Sequence, residues 1–363
     1  MLNKMKIIRL IFIAVLSSLI ASCAGNVDDS SLPVLEASDT EIDLASETEA
    51  VFTVTYNGKD VTKDAEIFST LSTMEFDGRV YRPVNEGSAV FVAEYEGKES
   101  NIVTVNVVNS KPQVNSKYDR HVLVAEFTGA SCAFCPAGYD LMMLALSKPS
   151  MGKYKDNVHI CAFHSEEMGV DTLAIDATYD VKDLFGTLEL PSCAVDFRDS
   201  GVLSSDGSAF FQPAVVSSFN DYPAHCGVAV SSEINADGTK AEIEVKIDSE
   251  LTSEYRAVVL VIQDGIKGYQ KHGTYGELDE YMHNHVVRKV VTSYADTFTG
   301  EKLTGDGVIA AGEEASKTWT IDLDSRWVLD NTHVYALALD RNGYVNNMNV
   351  CMIDGGDSGY DLK

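Results

Sequence analysis

Basic side chains are scarce in this chain. Twenty-eight Lys and Arg stand against 55 Asp and Glu over 363 residues, a formal charge of 28 − 55 = −27. A surface of that sign repels phosphate, which argues against nucleic-acid binding through phosphate neutralisation. Cysteine is scarce too: seven residues in a chain this long cannot be the disulfide scaffold of a mini-protein, so apolar cores in two or three domains must supply stability. The chain has one C-x-x-C, Cys132–Cys135, and neither a second one nor an H-x-x-x-H pair, so a zinc ion there would lack its remaining ligands. No period of fixed length recurs, which excludes a repeat array. Beyond residue 22 there is no apolar run of the roughly twenty residues that a membrane-spanning helix needs.

What is present begins with an address. Residues 1–22 carry a basic start (Lys4, Lys6, Arg9), then the apolar run LIFIAVLSSLIA, the layout of a secretory signal. The run ends Ile20-Ala21-Ser22-Cys23, which resembles a bacterial lipobox and implies that Cys23 becomes the lipidated first residue of the exported chain. Acyl chains there would anchor the protein to a membrane, and loss of the three basic residues takes the charge from −27 to −30. Residues 23–32 read as a polar tether. Its Asp28-Asp29 pair points to onward export to the cell surface, as in Bacteroidetes-type bacteria.

Residues 33–108 alternate apolar and polar side chains in short runs (VFTVTYNG, AVFVAEYEG, NIVTVNVV) with turn signals at Asn57-Gly58, Glu86-Gly87 and Glu96-Gly97, the pattern of an all-β sandwich. The wording resembles bacterial immunoglobulin-like modules, which serve as spacers or adhesin domains. Residues 109–117 form a polar linker. From 118 to 223 strands alternate with helices: HVLVAEF, a helix starting near Cys132, NVHICAFH, a helical stretch DTLAIDATYDVKDLFG, SCAVDF, and a helix around SAFFQPAVVSSF. That order predicts an α/β layered domain. Over 224–353 strict alternation returns, as in AEIEVKID and KTWTIDL, and predicts a C-terminal antiparallel β-sandwich before a tail at 354–363.

The C-x-x-C admits three readings: half a zinc site, a redox pair, or a static disulfide. Redox chemistry needs the first cysteine near a helix N-terminus, where free N–H groups and the helix dipole favour a thiolate. The sequence offers that setting, with a buried-type strand before the tight turn Thr128-Gly129-Ala130-Ser131 and helix formers from Pro136 onward. Cys132 is then predicted to be exposed near the helix start, with Cys135 one turn further in, able to attack a mixed disulfide.

Three features together resemble the thioredoxin fold: the C-x-x-C at a strand-to-helix junction, Glu126 six residues before Cys132, and Leu190-Pro191 leading into a strand. The resemblance implies that Cys132 attacks, Cys135 resolves and a buried Glu126 takes the proton. It also implies that a cis Pro191 with Leu190 holds an extended substrate strand, Phe134 lying between the cysteines beside it. The sequence departs from thioredoxins in having Ser131 before the first cysteine and Ala133-Phe134 between the pair, which bears on substrate preference and potential. The longer layout, with lipobox, EFTGASCAFCPAG, the strand end at His164 and His283-Asn284-His285-Val286-Val287-Arg288, resembles the Bacteroidetes outer-membrane lipoproteins named for a twenty-eight-kilodalton antigen. That resemblance implies an outer-membrane location, on the periplasmic or cell-surface face.

Other residues leave alternatives. Cys161 and Cys193 fall on strands expected to flank the Glu126 strand on opposite sides, too far apart to bond, and read as buried thiols. Cys226 and Cys351 open and close the last segment, as free thiols or as a disulfide. His283 and His285, two apart on a strand, share one face as a metal pair would, or form a hydrogen-bonded pair. His164 serves packing or substrate contact. Two functions follow. One is a lipid-anchored thiol–disulfide oxidoreductase acting on protein or peptide thiols and disulfides, with no cofactor. The other is a surface adhesin or ligand-binding lipoprotein, its ligand unnamed, in which the C-x-x-C is structural.

Overall fold

The computed structural model describes residues 32–44, 48–71, 75–83, 86–108, 116–186, 189–204, 208–292 and 300–363. Cys23 and the segment 1–22 lie outside the described residues. The chain divides into two compact units, residues 1–113 and 114–363.

The first unit contains β1 (Val34–Ala37), β2 (Glu41–Asp43), β3 (Ala50–Tyr56), β4 (Lys59–Asp60), β5 (Glu66–Phe68), β6 (Val80–Tyr81), β7 (Gly87–Tyr95), β8 (Lys98–Glu99) and β9 (Val103–Val108). One sheet runs β1-β3-β4 with β6 beside β3, and the other runs β2-β9-β7-β5 with β8 beside β7. Alternation in sequence becomes alternation in burial: Ala50, Phe52 and Val54 of β3 face inward while Val51 and Thr53 face solvent. Asn57 and Glu96 take φ of 51° and 49° ahead of Gly58 and Gly97, the left-handed pairs that close tight hairpins. Phe52, Phe76 and Phe91 meet in the core with ring centroids 4.3–5.7 Å apart.

In the second unit β10 (Val122–Thr128), α1 (Cys135–Leu146), β11 (Val158–His164), α2 (Ala177–Asp183), β12 (Ser192–Val195), β13 (Asp199–Val202) and α3 (Phe211–Asn220) come first. They are followed by β14 (Cys226–Ile234), β15 (Lys240–Ser249), β16 (Ser253–Glu254), β17 (Arg256–Gln263), β18 (Ile266–His272), β19 (Gly276–His283) and β20 (Val286–Val290). The last are β21 (Glu301–Lys302), β22 (Val308–Ile309), β23 (Glu314–Asp322), β24 (Thr332–Leu339), β25 (Val345–Met352) and β26 (Gly356–Asp357). A nine-stranded sheet in the order β13-β12-β10-β11-β20-β17-β24-β25, with β21 beside β17, is its spine. Over its first strands, Val122 and Val124 of β10 and Val195 of β12 pack against Met142 and Leu146 of α1 and Phe211 and Val215 of α3. Over its last strands lies the four-stranded sheet β23-β15-β14-β26, whose Ile243 and Val245 share a core with Val259, Val261, Val334 and Ala336. A buried ion pair, Arg120 with Asp196, ties these parts together. Asp196 accepts from the N–H of Leu123 at 2.9 Å, and Arg120 donates to the carbonyl of Val345 at 3.2 Å.

The expected fold class, an α/β thioredoxin-like domain followed by a separate antiparallel sandwich, is overturned. The structure is mostly β, 47% strand against 13% helix with three helices among the described residues, and the strands of the two expected folds share one sheet. Two physical reasons account for it. RAVVLVIQ of β17 is buried at seven of its eight positions, so it cannot be the half-solvated sheet of a two-layer sandwich and needs cover on both faces. Likewise β11 does not end a sheet, because the Ala162 N–H donates to the His285 carbonyl at 2.7 Å and β20 extends the ladder. Of the stretch DTLAIDATYDVKDLFG only Ala177–Asp183 is helical. No helix among the described residues is long and apolar enough to cross a membrane.

Candidate functional site

The C-x-x-C follows β10. The Cys132 N–H donates to the Gly129 carbonyl at 3.0 Å, closing the turn, and Cys132 and Cys135 are joined as a disulfide. Helix α1 starts at Cys135 rather than near Cys132. Pro136 explains the offset, since proline fits the first turn of a helix and would cost a bond deeper in it. No acidic side chain lies in that first turn, so the positive end of the helix faces the sulfurs without an opposing charge.

Glu126 alternates with Val122 and Val124 along β10, which directs it to the face that α1 covers. It stands level with Ala162 of β11 and Cys193 of β12. It is 3% exposed, and burial pushes its carboxyl up to about 8. Glu126 and Cys135 line one cavity of about 30 Å³, together with Tyr139, His164, Gln270 and His283. That volume is no larger than a single water molecule needs. His283 is drawn down to about 4 by burial and by neighbouring His164, so it is neutral, and Tyr139 is pushed up to about 12 by burial and by Glu126. His283 and Tyr139 are therefore uncharged at neutral pH.

On the far side of the turn, His164 Nδ1 lies 2.7 Å from Asp171 Oδ2, which also accepts from the Ala130 N–H at 2.6 Å. Burial pushes the Asp171 carboxyl up, but hydrogen bonds from His164, Ala130 and Leu173 overcome it and hold the group below the usual carboxylate range. An ionised carboxylate thus fixes the residues just before Cys132. The Leu190–Pro191 bond is cis, and Pro191 packs directly on α1: a Cβ at Gly138 would sit 2.7 Å from the proline ring. Only glycine permits that approach.

Cys132, expected to be exposed, is 0% exposed. The β18–β19 hairpin covers its loop. Lys271 and Gly273 donate their N–H groups to the carbonyls of Ala130 and Ala133, both at 2.7 Å. The side-chain amide of Gln270 reaches the Cys132 carbonyl at 3.0 Å and the Gly129 carbonyl at 3.3 Å. Phe134, by contrast, is 70% exposed.

Cys161 and Cys193 are free and buried on β11 and β12, either side of β10, with burial raising both thiols. Cys226 and Cys351 are also free and buried, so the alternative of a disulfide between them does not hold. His283 and His285 do not share a face. His283 ends β19, whereas His285 takes φ of 59°, turns the chain and pairs with Asp264 at 3.3 Å. Among the described residues no group of three His, Cys, Asp or Glu is placed to hold a metal.

Sequence reasoning missed Asp171 and Gln270. Asp171 looked like part of a helix, and no local signal in IKGYQKH marks Gln270 as buried; it faces inward by the plain alternation of β18, on the same face as Ile266 and Gly268.

Known proteins resemble this chain in part. A search of curated proteins finds no match. Among solved structures, HBP35 of Porphyromonas gingivalis is similar in fold, with a TM-score of 0.51 and 16% identity over 66% of this chain and 77% of that one. The profile of the outer membrane protein Omp28 family matches residues 179–354, which include Pro191 and the hairpin but not Glu126, Cys132 or Cys135. Over residues 179–354 the chain is similar to the outer membrane protein Omp28 family, and it is a protein of the outer membrane.

Proposed function

We propose that this envelope protein is a thiol–disulfide oxidoreductase, anchored by lipid at Cys23, that exchanges the Cys132–Cys135 bond with protein or peptide thiols. The observation that carries the reading is a carboxyl poised near neutrality: Glu126, raised to about 8, lines the same cavity as Cys135. In the reducing direction the Cys132 thiolate attacks a substrate disulfide, whose S–S bond breaks to give a mixed disulfide and one substrate thiolate, which is protonated. Cys135 then passes its proton to Glu126 and attacks Cys132 Sγ. The internal disulfide forms and the second substrate thiolate leaves, taking a proton. Two electrons pass from the cysteine pair to the substrate, and the oxidising direction reverses each step. The cis turn at Leu190-Pro191 and the exposed Phe134 ring are the proposed substrate contacts.

A second reading rests on the burial of both sulfurs, 0% and 2% exposed: a static disulfide in a surface-binding lipoprotein. Exchange decides between them. With the full chain and a model disulfide protein, turnover is expected for the native sequence, loss of turnover for Cys132→Ser, and a trapped mixed disulfide on Cys132 for Cys135→Ser. Turnover that is absent in the native chain would remove the oxidoreductase reading.

The anchor is tested by fractionation. Cys23→Ser should move the protein from the membrane to the soluble fraction, and unchanged membrane retention would contradict a lipid at that residue.

Glu126 also sets a pH dependence. Its carboxyl is raised from the model-peptide value of 4.5 to about 8 on folding, so folded protein binds the proton more tightly than unfolded. The stability this provides is fully present below pH 4.5 and is lost as pH rises to about 8, a change on the order of a few kcal/mol. Urea unfolding from pH 4 to pH 9 should show that decline in the native chain, and Glu126→Gln should flatten it. Equal slopes would mean that Glu126 does not titrate in this window.

A further inference from the structure

The hairpin that hides Cys132 is held in an unusual way. Of the fifteen residues in β18 and β19 only Gln270 and His283 are buried, and both are polar. A two-stranded ribbon is marginal by itself, and this one has no fully buried apolar side chain to fasten it. Its hold on the cysteine loop is main-chain and amide hydrogen bonding: Lys271 to Ala130, Gly273 to Ala133, Gln270 to Gly129 and Cys132. Beyond these contacts the tip is exposed from Gly273 to Glu277, and its turn is closed on itself by the N–H groups of Thr274 and Tyr275 on His272 Nδ1, at 3.0 and 3.3 Å. With the hairpin bonded to this loop Cys132 is 0% exposed, so a thiol reaches its sulfur only when the hairpin lets go.

We infer that the β18–β19 hairpin is an access gate for the Cys132–Cys135 pair, closed by backbone pairing onto residues 130–133 and opened by local release of Gln270, Lys271 and Gly273. The gate deepens the oxidoreductase reading and rests on it for its purpose, but its physical content is accessibility alone. Attack on Cys132 then waits for opening, whatever the attacking thiol. Opening leaves the nine-stranded sheet intact, because β18 and β19 pair only with each other in strand ladders.

The test uses the full chain and dithiothreitol, following reduction of the Cys132–Cys135 peptide by alkylation and mass spectrometry. As dithiothreitol is raised, the rate should reach a plateau set by opening. Two variants loosen the gate differently. Gln270→Ala removes the amide donors, while Gly273→Ala, at an exposed position, sets a Cβ 3.1 Å from the Ala133 carbonyl and wedges the tip away. Each should raise the plateau about tenfold, the effect of losing one or two hydrogen bonds from a closed state. A rate that grows linearly with dithiothreitol without a plateau, or a plateau that neither variant moves, overturns the gate. If the plateau shifts as expected but no protein disulfide is ever exchanged, the gate stands and the oxidoreductase reading falls.

Discussion

One hydrogen-bonded join organises the second unit. Where β11 would have ended a sheet, the Ala162 N–H finds the His285 carbonyl, and Val286 comes level with Ala162 in parallel pairing. The left-handed backbone at His285, held by the bond of its N–H to Asp264 at 2.6 Å, turns the chain into that position. Everything after it in space follows: β20 brings β17, β24 and β25 into the same sheet, and the hairpin that precedes His285 is delivered across the cysteine loop. A single-edge contact thus fuses what the sequence pattern reads as two folds and also closes the site.

Burial is the second constraint, and it acts on chemistry as well as packing. The sheet and α1 exclude water from Glu126, which raises its carboxyl; the same exclusion raises the Cys161 and Cys193 thiols beside it, so they stay protonated and inert. The disulfide is buried too, 0% and 2% exposed at its two cysteines, and lies at the mouth of a helix whose first turn carries no acid, with the Asp171 carboxylate fixing the turn before it. The site therefore combines a desolvated carboxyl, a helix terminus and a loop held from both sides, by Asp171 and by Gln270.

Much of this was legible in the residues. The period-two alternation of AVFTVTY and AEIEVKID carries strand and face, and Asn57-Gly58 and Glu96-Gly97 mark their turns, because these signals are local. Cys132 and Cys135 stand out by their spacing, and Glu126 and Pro191 only through the resemblance to thioredoxins; the structure bonds the two cysteines, sets Glu126 in one cavity with Cys135 and packs Pro191 against Gly138. What could not be read is non-local. The continuous run of β17 does not say which layers cover it, and the i, i+2 spacing of His283 and His285 assumes a strand that the backbone abandons at His285. The exposure of Cys132 was misjudged for the same reason: the hairpin that covers it lies over 130 residues downstream, and its polar composition carries no sign of what it touches.

The most direct measurement is the equilibrium of the Cys132–Cys135 pair in glutathione redox buffers. A working redox pair should interchange with glutathione and show a potential above about −300 mV, the range in which labile and catalytic disulfides lie. A pair that stays fully oxidised in every such buffer, after times long enough for any cover to open, would contradict the account and make the bond a structural one.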